Sequence, residues 1–270
     1  MTALGDTVRL YLRYVGVSVR SQMQYRASFL LSTLGHFLLT GIEFVAIWAL
    51  FERFRDIDGW RLPEVALLYG IANIAFALAE GAGRGFDMFS RLVKSGDFDR
   101  LLLRPRSTAF QVAASEVQLL RVGRFAQAAI VLVWALGELD VAWTVARVAL
   151  FAAAILAGVC TYFGLFVLQA TLSFWTTEGL EVMNVVTYGG VESTQYPVSI
   201  YREWMRSFFT FVVPLALVGY YPVLAITGRG DPWSAPAWLP WTAPLVGPLF
   251  LVASLWVWQV GVRHYRSTGS

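Results

Sequence analysis

Charge is scarce in this sequence. Only 14% of the 270 residues are Asp, Glu, Lys or Arg, against roughly a quarter in soluble proteins, and no stretch is polar enough to stand as a separate soluble domain. The single cysteine, Cys160, excludes a disulfide framework and a cysteine-based metal site, and reads as a small buried side chain. The two histidines, His36 and His264, lie too far apart in sequence to suggest a metal cluster. No G-x-x-x-x-G-K-[ST] segment is present, so the chain binds no ATP through a P-loop. No Ser/His/Asp set, H-E-x-x-H or paired-carboxylate arrangement stands out either, which argues against an enzyme acting by itself, with no catalytic residue, metal or cofactor of its own. The net charge of +3 does not point to nucleic acid, because the arginines sit beside apolar segments, where they suggest topology and anionic membrane lipid.

What is present is apolar. Hydrophobic residues make up 57% and aromatics 15%, and the mean hydropathy is +0.58. The expected fold is an all-α integral membrane protein, with residues 1–270 forming one domain in the cell's inner membrane. Residues 1–26 carry Arg9, Arg13, Arg20 and Arg26 without the short apolar core and cleavage site of a signal peptide. They are expected to form an amphipathic helix on the inner surface, with Leu10, Tyr14, Val17 and Met23 along one side. A membrane crossing needs about 20 mostly apolar residues. Six segments meet or approach this: 27–50, 62–82, 113–136, 143–175, 208–226 and 241–262. Pro63 suits the first turn of the second, Arg121 and Arg124 of the third are expected to snorkel to an interface, and Pro214 and Pro222 predict a kink in the fifth. With the N-terminus inside, segments 1–26, 84–106, 176–206 and 263–270 hold fourteen of the 21 basic residues and the outer segments four, giving an N-in, C-in orientation. The outer loop, with Trp233, Trp238 and Trp241 among Pro232, Pro236 and Pro240, is expected against the outer leaflet or as a re-entrant half-span.

Two short patterns are decoys. Gly81, Gly83 and Gly85 imitate a phosphate loop without a preceding strand and read as flexible punctuation after the second span. Arg229-Gly230-Asp231 is a chance tripeptide in an outer turn. More informative are polar groups inside spans, each costly there and so a candidate for function. His36, Thr40 and Glu43 share one helix face by i, i+4, i+7 spacing, and Tyr69, Asn73 and Glu80 nearly share another. These stripes either pair with each other or line a route for a polar substrate group, so His36, Thr40, Glu43 and Asn73 are candidate pathway residues. Glu80 is expected at the inner interface.

Residues 84–106 form the long charged interruption between apolar segments and contain six basic residues. Within them, residues 86–96 predict an amphipathic helix. Phe86, Phe89, Leu92 and Val93 make an apolar stripe, Arg91 and Lys94 flank it, and Gly96 ends it as a helix C-cap. The segment that follows, SGDFDRLLLRPRS, resembles the stretch after the second span of ABC-2 family transporter permeases through Gly96, Asp99, Leu102, Arg104 and Pro105, most closely in a six-span subgroup. Tyr196-Pro197, Tyr201, Val213-Pro214 and Tyr221-Pro222 resemble the same subgroup's approach to and passage through its fifth span. The ending from Trp258 through Gly261, Arg263 and Tyr265 to Ser267 resembles its close. The resemblance implies a permease paired with a second permease subunit, identical or related, and with two cytosolic ABC ATPase subunits that carry MgATP. It makes residues 86–96 the coupling helix that docks on those ATPases, with residues 178–188 as a supporting cytoplasmic helix, and it favours export. A proton-coupled secondary transporter using Glu43 or His36 as a relay, and a non-transporting membrane scaffold, are the alternatives.

Overall fold

A computed structural model describes residues 3–176 and 180–266. These are helical apart from turns and one isolated bridge between Ile57 and Trp60. In chain order the helices are α1 (Ala3–Gln22), α2 (Arg26–Phe54), α3 (Leu62–Asp87), α4 (Phe89–Lys94), α5 (Asp97–Leu102), α6 (Thr108–Ser115), α7 (Val122–Glu138), α8 (Val145–Leu172), α9 (Leu180–Thr194), α10 (Glu203–Ser207), α11 (Leu215–Val218), α12 (Tyr220–Thr227), α13 (Leu239–Thr242) and α14 (Val246–His264). Five helical stretches are long and apolar enough to cross a membrane: Arg9–Phe54, Leu62–Lys94, Leu119–Glu138, Val145–Leu172 and Leu239–His264.

The bundle is built around α3, which is buried over most of its length and packs on α7 and α8, while α14 packs on the far side of α8. The outward side of α2 presents Leu31, Leu39 and Ile42, the surface that hydrocarbon chains accept. Gly81, Gly83 and Gly85 do not punctuate; α3 runs through all three. At Gly85 the reason for glycine is close approach, because a Cβ there would lie 1.8 Å from the Val112 carbonyl of α6.

The segment 113–136 is not one helix. The chain is extended at Glu116, and α7 starts only at Val122 after a short turn of 3₁₀ helix, Leu119–Arg121. An interrupted backbone inside a membrane needs internal hydrogen-bond partners, and α1 supplies them. Ser18 Oγ and Gln22 Nε2 donate to the Val117 carbonyl at 2.8 and 2.7 Å, and Gln22 Oε1 accepts from Leu119 N at 3.1 Å. The Gln118 N–H donates to the Gly81 carbonyl at 3.3 Å. The expected amphipathic helix therefore exists, but its polar side faces the bundle, leaving Leu12, Tyr14 and Val17 exposed with Arg9, Arg13 and Arg20.

The segment 208–226 is broken at Pro214, as the sequence predicts. Chain 203–212, finishing in a π-helical turn Phe208–Val212, and chain 215–227 meet at 74° across Val213 and Pro214, where the ring fixes the break. Both flanks of this bent pair open on the same end of the bundle. Ser199 before it and Arg229, Gly230 and Trp233 after it line one cavity, and the Arg206 guanidinium lies 4.0 Å over the Trp233 ring. The two flanks of this bent pair thus lie together. Alongside, α9 runs antiparallel to α8. Asn184 Oδ1 accepts from Gln169 at 3.1 Å near one end, and Thr194 Oγ1 lies 2.9 Å from Tyr162 Oη near the middle of α8. The described part of the segment 178–188, residues 180–188, forms the start of α9; residues 178 and 179 fall outside the described residues.

Candidate functional site

The connector after α3 folds on itself. Gly96, at φ 74°, takes the left-handed conformation between α4 and α5, as the C-cap reading predicts. The apolar stripe, however, faces inward. Phe86, Phe89 and Val93 are buried, Phe89 completely, and Leu92 is half-buried. Phe89 lies 4.8 Å from the Trp258 ring of α14, 5.0 Å from Phe98 of α5 and 5.2 Å from Phe174 beyond α8, while Phe86 lies 5.2 Å from Trp258. Edge-on aromatic pairs of this kind add about 0.5–1.5 kcal/mol each beyond the area they bury. The stripe is therefore the protein's own core and is not free to meet another molecule.

What the connector exposes is Arg91, Lys94, Ser95, Asp97, Arg100 and the segment from Leu102 to Ser107, including Arg104 and Pro105. Leu103 is 86% exposed. Asp99, half-buried, sits beside Tyr265; burial and the Asp99 carboxylate push the Tyr265 hydroxyl up to about 12. The motif residues thus divide into a face tied to α14 and an exposed ridge.

Above the connector lies a polar network. Glu80 is fully buried within the bundle, and Arg121 turns inward to pair with it. Arg84 pairs with Asp87 and lies 4.0 Å from Glu80. Tyr188 Oη donates to Glu80 at 3.1 Å, Gln169 Nε2 donates to Asp87 at 3.0 Å, and Thr187 Oγ1 donates to Gln169 Oε1 at 3.3 Å. Two carboxylates and two guanidinia thus balance, tying α3, the start of α7, α8 and α9 together. The i, i+4, i+7 spacing of Glu80, Arg84 and Asp87 was a readable signal for it.

Between the two ends, one contact joins the two polar stripes. Tyr69 Oη lies 2.8 Å from the Thr40 carbonyl and 2.9 Å from Gln127 Oε1; Thr40 is buried and its hydroxyl donates to the His36 carbonyl at 2.8 Å. His36 is half-buried, within electrostatic reach of Arg121 and Arg124. Asn73 is wholly buried and donates to the Tyr69 carbonyl at 3.0 Å. Glu43 lies 4.0 Å from Arg124, whose guanidinium stacks 5.0 Å above Phe76. Sequence reasoning missed Glu192 of α9, an exposed carboxylate within electrostatic reach of both Glu43 and Arg124.

The opposite end is closed more simply. Glu64 accepts from Arg61 N at 2.7 Å and from Arg229 Nε at 2.8 Å, and Arg229 also donates to the Gly59 carbonyl and lies 4.7 Å over Trp60. The apparent adhesion tripeptide is thus occupied by internal contacts, Asp231 accepting from Ala235 N at 2.8 Å. Among the described residues, no group of three or more His, Cys, Asp or Glu is placed to hold a metal ion.

The chain matches the family model described as "ABC-2 family transporter protein" over residues 37–269. No curated protein and no solved structure matches it.

Proposed function

The chain belongs to the ABC-2 transporter family and is a permease subunit of an ABC transporter, and from that premise we propose that it exports its substrate as one of two permeases driven by two cytosolic ATPases. Six passes fit this reading when α9 replaces the hairpin of α10 to α12 as the fifth. Both termini then lie inside, and the hairpin dips in from outside. Moving Arg202 and Arg206 outward leaves twelve basic residues inside and six outside, so the asymmetry keeps its sign. ATP is bound and hydrolysed on the partners, and this chain contributes the route and the docking surface.

The observation that carries the reading is the connector's construction. Its exposed ridge, from Arg91 and Lys94 through Asp97 and Arg100 to Leu103, Arg104 and Pro105, stands at the basic end of the bundle. Beneath the ridge, Phe89 and Phe98 are locked to Phe174 and Trp258. A push on the ridge by a closing ATPase pair is transmitted directly to α3, α8 and α14. Coupling of this kind needs a contact whose strength differs between the two states, which a ridge outside the core can offer and a buried stripe cannot.

Lys94 is the one lysine in the sequence, which makes the test direct. An amine-reactive crosslinker should join the permease to its ATPase through Lys94 in the purified complex, read by mass spectrometry of the crosslinked peptides, and Lys94→Arg should remove the crosslinked peptide that contains residue 94. Arg100→Glu with Arg104→Glu should weaken ATPase association at least about tenfold, about 1.4 kcal/mol, while the permease melts as the parent does. Full association and full ATPase stimulation in that variant would remove the ridge as the docking surface. Phe89→Asp is no test of docking, because it buries a charge in the aromatic core.

A further inference from the structure

Glu192 stands on the outward side of α9 at the level of Thr194, which meets Tyr162 near the middle of α8. A carboxylate facing lipid hydrocarbon at that depth is not tolerated, so this side of α9 faces either a polar route or a matching cation. Glu192 Oε2 accepts from Gln195 Nε2 at 3.2 Å, and two acceptors on neighbouring helices lack donors. Glu43 Oε2 is enclosed without a hydrogen-bond partner, and its nearest cation, Arg124, is 4.0 Å away with its guanidinium stacked on Phe76. Asn73 is 0% exposed and its Oδ1 has no partner. Because Asn73 Nδ2 donates to the Tyr69 carbonyl, the amide cannot be flipped without setting two oxygens against each other, so the free end is the acceptor. Asn73 shares its helix face with Tyr69 and Phe76, which meet Thr40 and Gln127 on one side and Arg124 on the other. Glu43 and Glu192 have one guanidinium within reach, that of Arg124, a net charge of −1.

We propose that this face of α2, α3 and α9 binds a cationic amine group of the transported molecule, accepted by Glu43, Asn73 and Glu192. The inference rests on the permease reading above. An ammonium supplies the missing donors, restores charge balance and suits tyrosine ring faces. A carboxylate or phosphate substrate group would meet two like charges, and a neutral hydroxyl would leave the net charge uncompensated.

The test uses the full-length permease with its ATPase in lipid nanodiscs, probed with dodecylamine, dodecanol and dodecanoate. Dodecylamine should raise the melting temperature and stimulate ATP hydrolysis at concentrations at least tenfold below the alcohol, with the carboxylate weakest. Glu192→Gln, an exposed position that folding tolerates, should raise the half-maximal amine concentration about tenfold and erase the preference over dodecanol, while Glu192→Asp should retain most of it. Asn73→Leu should weaken the amine response severalfold, read against the ligand-free melt to separate binding from folding. Equal responses to amine and alcohol in the parent protein, or an unchanged preference in Glu192→Gln, would overturn the proposal. So would a Glu192→Gln permease pair that dissociates with its amine preference intact, since Glu192 would then be answering a residue of the second copy. Failure to assemble with an ATPase while the amine still stabilises the permease would sink the transporter reading and leave the binding site standing.

Discussion

Each end of α3 is closed by a glutamate meeting an arginine, and the two closures differ in what they hold. At the N-terminal end of α3, outer in the proposed orientation, Glu64 ties Arg229 to the start of its own helix, with Arg229 partly exposed and stacked on Trp60. At the C-terminal end, inner in that orientation, Glu80 is sealed from solvent and shares Arg121, Arg84 and Tyr188, while Asp87 passes the connection to Gln169 and Asn184. One closure pins a loop to a helix cap. The other binds four helices at the place where α3 hands over to the connector. The comparison shows that the depth of burial and the number of partners, more than the type of ion pair, decide whether a closure can transmit motion.

The largest effect should come from the inner end. Arg121→Ala leaves Glu80 buried with only the distant Arg84 as counter-ion, and breaking a buried pair in this way costs about 3–5 kcal/mol. A steep loss of folded permease, read by thermal melting in nanodiscs, is the expected outcome. Adding Glu80→Leu to Arg121→Ala should restore much of the loss, since an apolar pair removes the stranded charge, yet ATP-driven transport should stay impaired. If the double variant transported normally, the network would be a packing feature with no part in coupling.

The two ends were not equally legible in the sequence. Continuous apolar runs marked α2, α3, α8 and α14 because most of their surface faces lipid or other apolar helices. The stretch that became α9 carries Asn184, Thr187, Glu192, Ser193 and Thr194, and its low apolar content concealed a helix packed against α3 and α8. Hydropathy reports what a helix shows to lipid, whereas α9 spends much of its polar surface on Gln169, Glu80 and Tyr162. The break before α7 was hidden for the opposite reason. Its own residues are apolar enough to read as helix, and what stabilises the interruption is a glutamine far away in sequence. At the connector the amphipathic pattern was right and its direction was wrong. An apolar stripe says that something covers it, and Trp258, Phe98 and Phe174 do so from within the chain.

A middle-sized effect should follow at the outer end. Arg229→Ala removes charge-assisted hydrogen bonds to Glu64 and to the Gly59 carbonyl, worth about 1.5–3 kcal/mol at full burial, and its partial exposure puts the expected loss near the lower figure. A double-mutant cycle with Glu64→Gln should give a coupling of about 1 kcal/mol. A coupling as large as that of Arg121 with Glu80 would erase the distinction between the two ends.

The smallest effect belongs to the ridge. Asp97 and Arg100 form an exposed pair at 3.6 Å, and replacing both by alanine should move stability by no more than about 0.5 kcal/mol. A shift larger than the outer pair's, read by the same thermal melts, would mean that the connector depends on its surface as well as on its aromatic underside.

Gln22 has a consequence for the order in which the protein is made. Its partner Val117 lies 95 residues later in the chain, and synthesis at about 5–20 residues per second puts on the order of 5–20 s between their appearances. During that interval the first helix has its arginines and exposed apolar side chains to hold it at the bilayer surface, but no partner for Ser18 or Gln22. Only after the chain around Val117 has been made can α1 clasp the break, so a helix made early is among the last to find its place.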